Sequence, residues 1–224
     1  MRAVAIAAIL ALLIPAAGSA FAQTNVTIDP ASMTAGFMNV FNLPPTHPTN
    51  PGDGAFQFNG GWGFNDLVAS FAGNVLTWSV NTIGDPDPYW YVGGGGPGAQ
   101  GNKCMEANGY AESVGTLNGQ DVIFSFTVTD YTLASSHQFR AFIRDFAPDF
   151  SSFNDTTIPV TGTGFYQLSL TTVNDPARPV QYGFQMKGEN VWITDAGNFG
   201  QVVITPESVV SNEDSSFGAV KALY

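Results

Sequence analysis

The stretch QDVIFSFTVT, residues 120–129, sets Val122, Phe124, Phe126 and Val128 against Ile123, Ser125, Thr127 and Thr129. Apolar residues return at every second position, the repeat of a strand whose two faces meet different surroundings. The same repeat recurs on either side. Phe139, Ala141 and Ile143 alternate with Gln138, Arg140, Phe142 and Arg144. Tyr166, Leu168 and Leu170 alternate with Gln167, Ser169 and Thr171, and Val180, Tyr182, Phe184 and Met186 with Gln181, Gly183, Gln185 and Lys187. Turn signals punctuate these runs: Asn118-Gly119, Pro148-Asp149, Thr161-Gly162 and Asn174-Asp175-Pro176. Shorter strands are predicted at 24–28, 36–41, 55–59, 66–71, 74–80, 191–194 and 199–204. No sustained helical period appears before the C-terminal end. Roughly ten or more strands at this spacing predict an all-β, two-sheet sandwich as one domain over residues 23–205.

The two ends read differently from the middle. Arg2 precedes an almost unbroken apolar run from Ala3 to Ala17, and Ala20-Phe21-Ala22 gives a small-x-small cleavage pattern. Residues 1–22 are therefore expected to be a signal peptide, with Gln23 first in a secreted, periplasmic or cell-surface protein. No later apolar span reaches about 20 residues, so no membrane-spanning segment is expected. Residues 206–224 change to an acidic, serine-rich composition and are expected to be a tail outside the fold.

Charge narrows the partners. Of 224 residues, 7 are Lys or Arg and 18 are Asp or Glu. Removing Arg2 with the signal leaves a formal charge of −12. Nucleic-acid binding needs a basic stripe, and none is present. Four of the remaining cations, Arg140, Arg144, Arg178 and Lys187, lie within one stretch of the chain. Cys104 is the single cysteine, so no intramolecular disulfide can form, and a buried small hydrophobe is its expected role.

One segment fits no strand pattern from end to end. DPDPYWYVGGGGPGAQGNKCMEANGYAE, residues 85–112, places three adjacent aromatics beside four glycines, then amides, an acid and the cysteine. Loops longer than about 12–15 residues are usually functional or disordered, so it is read as a presented loop.

The order of features along the chain resembles a known family. Gly36-Phe37-Met38-Asn39-Val40-Phe41 leads to an aromatic strand at Phe56 to Trp62. Gly101 to Asn108 is similar to a loop-to-strand entry, and Glu112 to Val128, with Leu117-Asn118-Gly119-Gln120 inside it, to the hairpin that follows. Asn198 to Ile204 resembles a closing strand, with Gln201 where the family carries Asp. Together they resemble a carbohydrate-binding module of the galactose-binding-like group, nearest to families 4 and 9. The resemblance implies a jelly-roll β-sandwich of two antiparallel sheets, commonly with a structural calcium ion. Glycans would then bind a concave sheet face or the loop tips.

Sugar recognition uses flat aromatic faces and planar polar groups. Tyr89, Trp90 and Tyr91 offer aromatic faces in a glycine-flanked loop, although strand geometry would point Trp90 away from its neighbours; alternatively, they plug the sandwich end. Arg140 and Arg144 share a face with Gln138 and Phe142, and Gln181, Gln185 and Lys187 share another. Such a face suits a glycan platform, and a bidentate Arg suits a carboxylated sugar. An ordinary solvated face, with Arg paired to Asp145 or Asp149, fits equally. Trp62, Trp78 and Trp192 are expected in the core. For calcium, Asp85, Asp87, Glu106 and Asn108 supply suitable oxygens without a fixed ligand spacing, and solvated turn acids are the competing reading.

Catalytic signals are weak by comparison. GPGAQGNK places its Lys one residue late for a phosphate loop and no Ser or Thr follows it. His47 and His137 lack a neighbouring acid-and-nucleophile set. Any of 18 acids can be paired on paper, which nominates no glycosidase couple. The sequence thus predicts an exported, non-catalytic protein that binds a poly- or oligosaccharide. The alternative is a structural or adhesive envelope, matrix or appendage subunit that self-associates.

Overall fold

A computed structural model describes residues 22–44 and 54–207 of the chain. Most of the expected signal peptide, His47 and the tail beyond Glu207 lie outside the described residues. The strands are β1 (Ala22–Val26), β2 (Ala35–Asn42), β3 (Phe56–Gly63), β4 (Ala69–Ala72), β5 (Val75–Ser79), β6 (Thr82–Ile83) and β7 (Lys103–Val114). They continue as β8 (Gln120–Tyr131), β9 (His137–Phe146), β10 (Phe153–Val160), β11 (Gly164–Thr171), β12 (Pro179–Glu189), β13 (Val191–Trp192) and β14 (Gln201–Pro206). Short 3₁₀ segments at Phe64–Leu67 and Ile193–Phe199 interrupt them. Among the described residues no helix is long and apolar enough to cross a membrane.

Two six-stranded sheets form the sandwich. One runs β10-β9-β12-β7-β2-β3, every neighbour antiparallel. In the other, β11 lies along one side of β8, while β1 and β14 share the opposite side end to end, with β5 and β4 beyond β14. β1 is parallel to β8. The chain crosses between the sheets from β7 to β8, β8 to β9, β10 to β11 and β11 to β12, while β9 and β10 form a hairpin within one sheet.

The alternation read from the sequence is what fills the space between the sheets. Val122, Phe124, Phe126 and Val128 from one sheet meet Phe139, Ala141, Ile143, Val180, Phe184 and Met186 from the other, all buried. Phe126 stands edge-on to Phe184 at 4.8 Å, and Phe139 stacks on Phe184 at 5.4 Å. Trp78 enters from β5 against Phe139 at 5.5 Å. Each such ring contributes roughly 1.5–3 kcal/mol on burial. Gly109 makes room for Trp78, because a Cβ there would lie 2.7 Å from the indole.

Five expectations are corrected. Residues 85–112 are not all loop: the loop ends at Asn102, and Lys103 to Val114 is a twelve-residue central strand. Its odd positions Met105, Ala107 and Ala111 are small or flexible core residues, so no bulky aliphatic repeat announces it. The expected strand at 66–71 is a 3₁₀ turn followed by β4, and that at 191–194 stops at Trp192. β10 was not anticipated, since Asn154, Asp155 and Pro159 read as turn residues; on an edge strand a proline is tolerated. Pro206 closes β14 and the Glu207 amide bonds Thr27 Oγ1 at 3.2 Å, so the tail begins later than residue 206.

Candidate functional site

The outward face of the β10-to-β3 sheet is built from the positions that the core does not take. Across it, Arg144 registers with Asp155 on one side and Gln181 on the other, and Gln181 with Glu112. The next rung places Phe142 beside Gly183 and Gly183 beside Tyr110. The third aligns Arg140, Gln185, Asn108 and Phe37, and the fourth Gln138, Lys187, Glu106, Asn39 and Asn59. A polar sheet face with interspersed rings results from strict period-two spacing on five strands.

Gly183 shapes its centre. With no side chain there, the Phe142 and Tyr110 rings approach to 6.5 Å over the strand between them. The Arg144 guanidinium lies on Phe142 at 3.8 Å and donates through Nη1 to Asn108 Oδ1 at 3.0 Å. Gln185 donates to the same oxygen at 3.0 Å. Burial holds the Arg144 pKa below its ordinary value, and Glu106, Asp155 and Tyr110 act against that shift. No carboxylate lies within ion-pair distance of Arg144 among the described residues, and its buried Nε has no hydrogen-bond partner. Asp145 belongs instead to Arg178, at 2.7 Å.

A groove of about 630 Å³ lies over this face, floored by Asn108, Tyr110, Arg144 and Gln181. Glu106 and Glu112 stand along it, Phe37 lines one wall, and Phe146, Phe150 and Phe153 form the far end. Glu106 is held by Asn39 at 2.9 Å and Lys187 at 3.3 Å, whereas Glu112 accepts from Gln181 at 2.7 Å. Burial, then the Glu112 charge, pushes the Tyr110 phenol up. A wider depression near Trp62, Asp66 and Ile193 is more open and carries one carboxylate and no cation, so it offers less to bind with.

The aromatic end was not foreseen. Phe150 sits in the hairpin between β9 and β10 with φ of 58°, a left-handed conformation that is strained for a bulky residue. Its amide bonds Ala147 O, and Asp149 caps Ser151, which fixes the turn. The ring remains 55% exposed, packing on Phe146 at 5.4 Å, and Phe153 is 51% exposed beside it. The signal in the sequence was three phenylalanines around a Pro-Asp turn, at the end of a strand whose other face was already apolar.

The expected ligand-binding residues divide. Arg144 and Gln181 line the groove, and Gln185 lies beneath it on Asn108. Arg140 shares the face but is exposed beside Gln138, in a separate shallow depression. Tyr89 and Trp90 are elsewhere: Tyr89 stacks on Lys103 at 4.1 Å, and Trp90 meets Phe58 at 6.1 Å. Lys103 lies five residues before Asn108 on β7, about 17 Å at the usual rise of a strand. Tyr91 is corrected outright. It is wholly buried, with its hydroxyl 2.5 Å from Ile83 O and 3.0 Å from Val191 O, and its ring against Trp192.

The loop is thus architecture tied from beneath. Asn190, fully buried, accepts from the amides of Asn102 and Lys103 and donates to Trp90 O at 2.9 Å. Gly95 packs under Trp192 and Pro86, where a Cβ would lie 2.6–2.7 Å from both. Gly95 thus serves close packing, whereas Gly93 and Gly94 turn the backbone through positive φ of 79° and 107°.

The proposed calcium ligands do not fit that ion as a set. Asp85 and Asp87 cap their own turn, accepting from the amides of Asp87 and Tyr89. Glu106 and Asn108 already serve Lys187, Asn39, Arg144 and Gln185. Among the described residues no group of three His, Cys, Asp or Glu side chains gathers to hold a metal.

No protein-family model matches the chain, and no curated protein matches it. Among solved structures, it is similar to one determined for the promiscuous specificity of carbohydrate-binding modules from the β-sandwich superfamily. The identity is 16% over 79% of this chain and 84% of that one, with a TM-score of 0.32. A likeness of that size transfers no residue role.

Proposed function

We propose that the groove binds a glycan without cleaving it, on a protein that works outside the cytoplasm. The observation that carries this reading is Phe150: a strained backbone holds an aromatic ring open to solvent at the end of a polar groove. Strain of that kind costs on the order of 1–3 kcal/mol and concentrates at ligand sites. Phe150 and Phe153 offer faces for the C–H side of sugar rings, while Arg144, Gln181, Tyr110 and Glu112 offer planar groups for hydroxyls.

Non-catalytic binding is favoured over hydrolysis by spacing. Glu106 and Glu112 are six residues apart on one strand, about 20 Å, whereas a glycosidase pair stands roughly 5–9.5 Å apart. The apolar leader at residues 3–17 supports export.

One observation favours the structural-subunit reading. β3 is an eight-residue edge strand without a charge or a proline, with Phe56 and Phe58 exposed. Such an edge is a ready template for pairing with another chain. Affinity electrophoresis through gels of neutral and acidic polysaccharides separates the two. Retardation that the Phe150→Ala, Phe153→Ala double variant abolishes supports glycan binding. No retardation by any polysaccharide, with concentration-dependent assembly on a sizing column, supports the subunit.

A further inference from the structure

We infer that the glycan recognised by this groove carries a carboxylate, and that Arg144 reads it. The inference rests on the proposed glycan-binding role of the groove and adds the chemical class of ligand.

The argument starts from the two edges of one guanidinium. Nη1 is committed to Asn108 Oδ1 at 3.0 Å, and Asn108 is itself buried and fixed by Gln185. The rings of Phe142 at 3.8 Å and Phe153 at 5.9 Å hold the guanidinium plane. The opposite edge, formed by Nε and Nη2, makes no hydrogen bond, and Nε is removed from water. A desolvated N–H donor left without an acceptor is destabilising, because it has lost its water and gained no partner. Nε and Nη2 together are the edge that meets a carboxylate through two parallel hydrogen bonds. Arg144 is therefore a pre-oriented fork with Nη1 engaged and the Nε–Nη2 edge without an acceptor. A neutral hydroxyl would satisfy one N–H; a carboxylate satisfies both and neutralises the charge.

The surrounding acids limit how that carboxylate is presented. Asp155 and Glu112 flank Arg144 on the same rung, and neither touches it. Lys187 is already engaged with Glu106. Arg144 thus lines the groove without an ion pair, with Glu106, Glu112 and Asp155 around it, in a protein of strongly negative charge. A polymer acidic at every residue would place further carboxylates against Asp155 and Glu112. The geometry points to an isolated uronic acid, set among neutral sugars that lie on Phe150 and Phe153.

The experiment reads a glycan array of neutral oligosaccharides, oligosaccharides with a single uronate, and homopolymeric uronates. Each bound single-uronate glycan is then titrated calorimetrically before and after its carboxylate is reduced to the primary alcohol. The expected hits are single-uronate glycans, weakened tenfold or more by reduction. Arg144→Gln should weaken the acidic glycan by a similar factor and its reduced form much less, and Arg144→Lys should restore only part of the loss. Because the reduced ligand is tested on the wild-type protein, the result does not depend on the variants folding. Equal affinity for acidic and reduced glycans overturns the role of the carboxylate and leaves the glycan reading standing. Equal affinity for homopolymeric uronates overturns the isolated spacing. Failure to bind any glycan removes the groove reading, and this inference with it.

Discussion

Arg144 and Asn108 meet across a strand to which neither belongs. The guanidinium leaves β9, passes beside Gly183 on β12 and reaches the Asn108 carboxamide on β7 at 3.0 Å. A Cβ on Gly183 would lie 2.2 Å from Gly109 O and 2.7 Å from the Tyr110 Cα, both backbone atoms. Gly183→Ala should therefore lower stability by about 1–3 kcal/mol, the usual scale of overpacking. Urea denaturation of the variant checks this, and a loss below about 0.5 kcal/mol would mean that the strands separate there without cost.

Phe150 should separate binding from stability. Phe150→Gly removes the left-handed strain but frees the unfolded chain, so its net effect on stability should lie within about 1 kcal/mol of zero. Retention on the glycan that the wild type binds should fall about tenfold, the scale of one lost aromatic contact. Paired denaturation and affinity measurements test both arms.

The loop at 84–102 should behave as a structural element. Asn190→Ala removes an acceptor from the Lys103 amide, leaves the Asn102 amide only Trp90 O at 2.8 Å, and should cost about 1–3 kcal/mol. Hydrogen exchange should rise at those amides and not in the groove strands. Trp90→Ala should cost about 2–3 kcal/mol of stability through lost packing and leave glycan affinity unchanged.

Chelation tests the acids near the loop. Asp85 and Asp87 are occupied by turn amides, so a chelator should leave the melting temperature unchanged and added calcium should not raise it. A calcium-dependent rise would require, by mass action, a native-state site that the described side chains do not form.

Alkali should destabilise the fold. Tyr89, Tyr91, Tyr110, Tyr131 and Tyr182 all have pKa values raised above 10.0, with burial the first cause in each. A raised folded-state pKa favours the neutral phenol. Its stabilising contribution is complete below the unfolded value and is lost as pH rises through the folded one. Burial lowers the Lys103 and Arg144 pKa values, which acts in the opposite sense but for two groups against five. The melting temperature should hold to about pH 9 and fall above about pH 10. Tyrosinate absorbance should appear later in the native protein than in urea.

The sandwich was legible because its central strands are half-wet. Phe124, Phe139 and Phe184 alternate with polar neighbours, and the period survives on both sheets. β7 was harder: both its faces are largely covered, and Gly109 sits where Trp78 needs space, so its side chains vary too much in size to show a period. Part of the polar half of the site followed from the same alternation, since Arg144, Gln181 and Gln185 occupy outward positions; Glu106 and Asn108, on β7, were expected as calcium ligands rather than on this face. Its aromatic half did not, because Phe150 depends on a backbone conformation that composition does not encode. The Tyr89-Trp90-Tyr91 triplet misled for a related reason. Adjacent rings suggested display, whereas Tyr91 turns inward to bond two carbonyls beneath the loop.

β1 and β14 lie end to end beside β8, and the Glu207 amide reaches Thr27. Both ends of the described fold therefore leave from the sheet that faces away from the groove, about 10 Å behind the recognition face at the usual sheet spacing. A support, label or second domain attached at either end would carry the protein like a lamp on its bracket, aperture forward. Attachment at either end of the described fold should leave the groove facing the surrounding medium.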